Sequence, residues 1–174
     1  DHMVEAMKEA GVPEWYMESC RRIKYMFPKA HAAAYVMMAF RIAYFKVYYP
    51  LAYYAAFFSI RASSFNYELM CLGRERLEYH MADYKRRSNE LTAKEQDTLK
   101  DMKLVLEMYA RGFEFAPIDI YTAKARYFQI VDRKLMPSLS TIDGLGDKAA
   151  DAVVEAAKQG KFLSRQDFKN RCKV

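Results

Sequence analysis

The feature that most constrains this chain is the run from Ala30 to Ile60, apolar and aromatic almost throughout, divided by Pro50 and interrupted by Arg41 and Lys46. A single membrane-crossing helix needs about 20 consecutive apolar residues, and the two cations keep that number from accumulating. No membrane partner is expected. Proline disfavours helix at the residue before it but suits a first helical turn. Pro28 and Pro50 therefore predict one helix from about Lys29 or Ala30 to Tyr48 and another from Pro50 to Ile60, buried or half-buried and forming the core.

The flanks read as further helices. Val4 to Ala10 forms a short one ended by Gly11, and Pro13 opens a second that runs to about Met26, with Trp15, Ile23 and Phe27 on its apolar side. Asn66 to Asn89 is helical with a break at Gly73, and Arg74, Arg76, Lys85, Arg86 and Arg87 make one face of it basic. Thr92-Ala93-Lys94-Glu95 matches a capping box, so a helix starts near Ala93 and stops at Gly112, with Leu99, Met102, Leu106 and Tyr109 as its stripe. After Gly112 the period shortens. Ile118 and Ile120, Arg126 to Val131, and Leu135-Met136 beyond a turn at Asp132-Arg133-Lys134 read as short strands. The chain is thus mainly α, in two units: a helical region over 1–115 and, beyond a β-hairpin connector at 116–140, a helical module at 141–174.

Charge and cysteine content narrow the partners. The 174 residues carry 28 Lys and Arg against 22 Asp and Glu, a net charge of +6 that favours a polyanionic partner. Six bases from Lys158 onward (Lys158, Lys161, Arg165, Lys169, Arg171, Lys173) face Asp167 alone, so the tail holds five of those net charges. Such a tail either meets phosphate or is merely solvated. Cys20, Cys71 and Cys172 are scattered and odd in number, which suggests neither a disulfide framework nor a zinc site and fits a reducing cytoplasm. The opening Asp1-His2-Met3-Val4-Glu5 lacks the basic and apolar runs of a signal peptide and reads as an internal cut.

Two segments can carry chemistry. At Lys29 a helix N-terminus offers unpaired amides, a partial positive charge and a full one, which together suit a phosphate. His31 and Tyr35 share a face one turn apart, while Ala32, Ala33 and Ala34 let another body come close. That body is either a nucleotide or a neighbouring helix. In Thr141-Ile142-Asp143-Gly144-Leu145-Gly146, two glycines permit a tight bend whose amides can approach phosphate, Lys148 lies just behind, and Ile142 and Leu145 would anchor the bend inward. A helix from about Asp147 to Gln159, closed by Gly160, and a further helix from Ser164 complete a helix-hairpin-helix pattern that grips DNA backbone rather than bases. Asp143, Asp147 and Asp151 suit a solvent-facing edge and a helix start better than a metal site. Walker A, HExxH, GxSxG and Asp-x-Asp signatures are all missing, and so are the clustered carboxylates that hold two Mg2+ for phosphoryl transfer.

Val12-Pro13-Glu14-Trp15-Tyr16, then Ile23 through Tyr35, then Arg41-Ile42-Ala43-Tyr44-Phe45-Lys46 resemble the PolC-type alpha subunit of bacterial DNA polymerase III. Gly112-Phe113, Ile118-Asp119-Ile120-Tyr121, Ile142 to Gly146 and Gly160-Lys161-Phe162-Leu163-Ser164 follow that family in the same order. The resemblance implies a C-terminal fragment of a C-family replicative DNA-directed DNA polymerase of low-GC Gram-positive bacteria. Such a protein uses dNTPs, primer-template DNA and Mg2+, with 3′–5′ exonuclease proofreading in the full protein and a cytoplasmic, nucleoid-associated replisome around it. Residues 1–115 would be fingers, 141–174 a duplex-binding module truncated at its end. Phe27, Pro28, Lys29, His31 and Tyr35 would line the nucleotide pocket, and Gly144, Leu145, Gly146 and Lys148 would bind DNA. The palm with its catalytic aspartates, the histidinol-phosphatase-like region, the exonuclease insert, the zinc cysteines and the peptide for the sliding clamp have no counterpart here. The fragment alone is therefore expected to hold no catalytic residue, metal or cofactor and to polymerise nothing; it would need the palm and thumb. The rival reading is a free-standing helix-hairpin-helix DNA-binding or repair accessory protein.

Overall fold

The structure is a computed structural model and describes residues 3–23 and 27–173. It is helical with one small sheet: α1 (Val4–Glu9), α2 (Glu14–Arg22), α3 (Lys29–Tyr48), α4 (Pro50–Ile60), α5 (Tyr67–Met70), α6 (Arg74–Arg86), α7 (Ala93–Ala110), β1 (Gln129–Val131), β2 (Lys134–Met136), a 3-10 turn at Leu139–Thr141, α8 (Asp147–Lys158) and α9 (Arg165–Cys172). The chain divides into two compact units between Ala43 and Tyr44, and α3 crosses that division.

In the first unit α1 ends in a left-handed glycine. Gly11 takes φ +71°, its amide donates to the Lys8 carbonyl and the Val12 amide to the Met7 carbonyl, which satisfies two orphan carbonyls at the helix end. Pro13 then sets α2, where Met17 is the buried residue. Trp15, Ile23 and Phe27, expected on the apolar side, are instead exposed. The expected continuation of α2 to Met26 falls in 24–26, outside the described residues.

The larger correction concerns α3. It starts and stops where the prolines predict, but it has no buried residue, and the aromatic and apolar groups on all its sides lie open. A helix apolar all round is what a larger body buries.

The core lies in the second unit, in two hydrophobic clusters. The first gathers Tyr54 and Phe58 of α4, Met70, Leu77, Met81, and Met102, Val105 and Met108 of α7, closed by Phe115, Phe128 and Leu135. The second gathers Ala123, Met136, Leu139, Ala150, Val153, Ala156 and Cys172. Strand β2 stands between them. Adjacent residues of a strand point to opposite faces, so Leu135 enters the first cluster and Met136 the second. The β1–β2 turn is two residues, Asp132 and Arg133, both at positive φ, which is the geometry that matches strand twist.

Ile118 and Ile120 form no strand. Asp119 competes for the local amides: its carboxylate accepts from the Tyr121 amide at 3.0 Å and the Thr122 hydroxyl at 3.1 Å, folding the segment into a turn. The capping box of α7 is present, with the Thr92 hydroxyl accepting from the Glu95 amide at 3.3 Å and the Glu95 carboxylate accepting from the Thr92 amide at 2.9 Å.

The last turn of α3 is tied to α7 by a polar network. Lys46 Nζ donates to Glu107 at 2.8 Å, the Tyr54 hydroxyl donates to Glu107 at 3.0 Å, and Arg111 donates to the Lys46 carbonyl at 2.9 Å. Burial pushes the Tyr54 hydroxyl up to about 12. Partial burial works to raise Glu107 too, but the bonds from Lys46 and Tyr54 hold its carboxyl below the usual range. Among the described residues no helix is long and apolar enough to cross a membrane.

Candidate nucleic-acid interface

The first surface is the start of α3. The Pro28 carbonyl accepts from the His31 and Ala32 amides at 3.0 and 3.3 Å, so Pro28 sits just before the helix and the Lys29 and Ala30 amides are left without an acceptor among the described residues. Phe27, His31 and Tyr35 form a ladder of rings, with centroids 4.5 Å apart and nearly parallel for the first pair and 4.4 Å apart and tilted for the second. The spacing i, i+4 brings His31 over Tyr35. Ala30, Ala32, Ala33 and Ala34 beside the ladder are exposed, as is Lys29.

The second surface is the bend before α8. Gly144 takes φ +78°, which a residue with a Cβ rarely adopts, and the Leu145 amide donates to the Ile142 carbonyl at 3.1 Å to close the bend. Gly146 is different. Its φ is −71°, and a Cβ built there meets nothing within 4 Å, so neither backbone nor internal packing requires glycine at that position. Gly146 caps α8 without a side-chain bond, and the amides of Gly144, Gly146, Asp147, Lys148 and Ala149 find no acceptor among the described residues. Leu145 packs on the second cluster as expected, whereas Ile142 is 37% exposed and does not anchor the bend. Thr141 does more: it is buried and its hydroxyl donates to the Ser138 carbonyl at 2.6 Å.

An open cleft of about 920 Å3 separates the bend from the Ser63–Asn66 segment and the first turns of α7. Its charged lining is Lys94 against Glu68, Glu95 and Asp143, a poor match for phosphate.

Basic residues fall into two populations. On α6, Arg74 pairs with Glu78 at 2.7 Å, Arg76 with Glu68 at 3.7 Å, and Arg86 and Arg87 with Asp83 at 3.3 and 3.0 Å. Bonding to Asp83 holds the Arg87 guanidinium above its usual pKa. In the last module Lys158 pairs with Glu155 and Arg171 with Asp167, while Lys148, Lys161, Arg165, Lys169 and Lys173 have no ion-pair partner among the described residues. Arg171 is fully engaged: it donates to the carbonyls of Ala156, Gly160 and Lys161 and lies 4.4 Å over the Phe162 ring. Asp151 pairs with Arg126, which removes it from any set with Asp143 and Asp147, and no three His, Cys, Asp or Glu side chains converge among the described residues.

Reasoning from sequence alone did not single out Lys161, Arg165, Lys169 and Lys173 as site residues. The missed signal was their spacing of four, combined with a local acid, Asp167, that is four residues from Arg171 and already committed to it.

A family model described as a helix-hairpin-helix motif matches residues 112–174. Proteins named DNA polymerase III PolC-type are similar throughout: 46% identical over 98% of this chain in Caldanaerobacter subterraneus, 49% over 97% in Streptococcus sanguinis and 43% over 100% in Oceanobacillus iheyensis. The chain spans 12% of the length of each of these relatives. The similarity therefore runs through α1–α7 as well as the helix-hairpin-helix part, and the chain belongs, as a segment, to the PolC-type DNA polymerase III family.

Proposed function

We propose that this segment serves a replicative DNA-directed DNA polymerase from two sides, meeting the incoming dNTP with the start of α3 and the primer-template duplex with the bend before α8. The observation that carries the reading is the uncovered first half of α3. There Lys29, open helix amides, a bare alanine face and the Phe27–His31–Tyr35 ring ladder occur together. Charge and amides suit the triphosphate; the rings offer a flat edge to base or sugar. Residues 1–115 would act as fingers, with 116–140 connecting them to a duplex grip at 141–174. Pro28 would position the helix start rather than touch ligand.

At the bend, the amides of Gly144 and Gly146 would donate to a phosphate that Lys148 neutralises, with Leu145 holding the loop to the core. Such contacts fix register without reading sequence. The Asp143, Asp147 and Asp151 set does not suit a Mg2+ ion, so the ions, the palm that holds them, the thumb, the exonuclease and the contacts to clamp and replisome would lie in the remainder of a cytoplasmic polymerase. The free-standing DNA-binding accessory reading accounts for the bend equally well but gives α1–α7 no task.

Replacing His31 or Tyr35 with Ala in the complete polymerase tests this reading through the dNTP dependence of primer extension. The expected result is a KM for dNTP raised about tenfold, the equivalent of ~1.4 kcal/mol of binding, with duplex affinity unchanged. An unchanged KM for both variants would remove α3 from the nucleotide site.

A further inference from the structure

We infer that Lys161, Arg165, Lys169 and Lys173 form a second row of contacts to the sugar-phosphate backbone of duplex DNA, separate from the Gly144–Lys148 bend. The inference rests on the proposed duplex-binding role of this module and extends it to α9 and the segment before it.

Three observations carry it. The four cations recur every fourth residue, so within α9 one charge follows another after about 6 Å of helix axis, and a DNA strand supplies one phosphate per ~3.4 Å of its own axis. All four are exposed and none has a carboxylate within ion-pair distance among the described residues, although Asp167 lies close in sequence. The Asp167 carboxylate is committed elsewhere, accepting from Arg171 and from the Leu163 amide.

The row is also held on a firm base. Phe168 and Cys172, which adjoin Arg165 and Lys169 around the helix, anchor α9 in the second cluster, Arg171 ties α9 to the end of α8, and the Phe162 amide donates to the Tyr121 hydroxyl at 3.0 Å. Unpaired like charges repel one another, and a solvated helix relieves that repulsion with interspersed acids, as α6 does. Arg165, Lys169 and Lys173 lack that relief. The cleft on the other side of the bend cannot substitute, because its lining is acidic on balance. A polyanion is the partner whose charge answers this row, and the adjoining bend makes that polyanion the same duplex.

The test measures the affinity of the complete polymerase for a fluorescent duplex across a salt series from about 50 to 200 mM. Each neutralised phosphate contributes ~0.9 to the slope of log affinity against log salt. The double replacement Arg165→Gln with Lys169→Gln is expected to make that slope shallower by about 1.8, and the charge-keeping Arg165→Lys with Lys169→Arg to leave it unchanged. Lys148→Gln, measured in parallel, probes the bend. A normal slope in the α9 double variant alongside a shallower one in Lys148→Gln would overturn the second row and leave the bend standing. The reverse pattern would overturn the bend and keep the row. Normal slopes in both would overturn both, and would give the α9 cations to a protein partner instead.

Discussion

Helices α6 and α8 begin alike and end up facing different surroundings. Each has a glycine N-cap with no side-chain cap, an acid in its first turn (Glu75, Asp147) and a basic residue at the same end (Arg74, Lys148). From charge alone both are candidates for a phosphate. On α6 and its C-cap Arg87 the cations are answered: four of the five have carboxylates within 4 Å, supplied by α6 itself, by Glu68 of α5 and by Glu95 of α7. In the last module Lys148, Lys161, Arg165, Lys169 and Lys173 have no ion-pair partner among the described residues, while Glu155, Asp151 and Asp167 serve Lys158, Arg126 and Arg171. Counting charges along a sequence therefore overstates α6 and understates α9. What matters is which cations have already been neutralised by the fold.

The sharpest way to break this contrast is to compare two arginines on α9. Arg171 serves the fold, so Arg171→Ala strands carbonyls of Ala156, Gly160 and Lys161 and uncovers Phe162. Bonds from a charged donor are worth about 1.5–3 kcal/mol, and a loss of about 2–3 kcal/mol is expected in urea unfolding of the chain. Arg165→Ala, six residues earlier on the same helix, is expected to stay within about 0.5 kcal/mol. Equal losses would mean that the two are not different populations.

A smaller effect concerns α6. Replacing Arg74 and Arg76 with Gln removes cations that are already paired, so the salt slope of duplex binding is expected to change by less than about 0.5, against ~0.9 for each true phosphate contact. A shallower slope would return α6 to the list of DNA-facing surfaces.

The smallest effect is on pH dependence. The Leu163 amide first, and Arg171 next, hold the Asp167 carboxyl below the usual carboxylate range; the Thr92 bonds and Arg87 do the same for Glu95. A depressed folded-state pKa contributes stability that is present above the unfolded value and lost as pH falls through the folded one. Thermal stability is therefore expected to be flat near neutrality and to fall below about pH 4, with Asp167→Asn flattening that fall.

How much of this was legible in the sequence follows from the range of the interactions. The capping box at Thr92–Glu95, the glycine stop at Gly11 and the proline starts at Pro28 and Pro50 depend on residues within one turn of each other, and they appear in place. Ile118 and Ile120 misled because the Asp119 carboxylate, between them, accepts from the amide two residues ahead and the hydroxyl three residues ahead, a competition that an alternating pattern does not reveal. Trp15 and Met17 show the same limit: amphipathic spacing fits either, and only tertiary packing decides which is covered. For α3, hydrophobicity records that a surface wants a partner but not whether the partner is in the same 174 residues. The bend before α8 was recognisable from its two glycines, yet only the structure separates their roles, since Gly144 serves the backbone and Gly146 leaves amides open. The neutralisation of α6 depends in part on Glu68 in another helix and could not be read from α6 itself.

Amide hydrogen exchange of the complete polymerase, with and without duplex DNA, tests the central contrast most directly. The amides of Gly144, Gly146, Asp147, Lys148 and Ala149 have no acceptor among the described residues and should exchange fast in the free protein; with duplex bound they are expected to slow while those at the start of α6 do not. Unchanged exchange at the bend, or equal protection at Arg74–Arg76, would contradict the account.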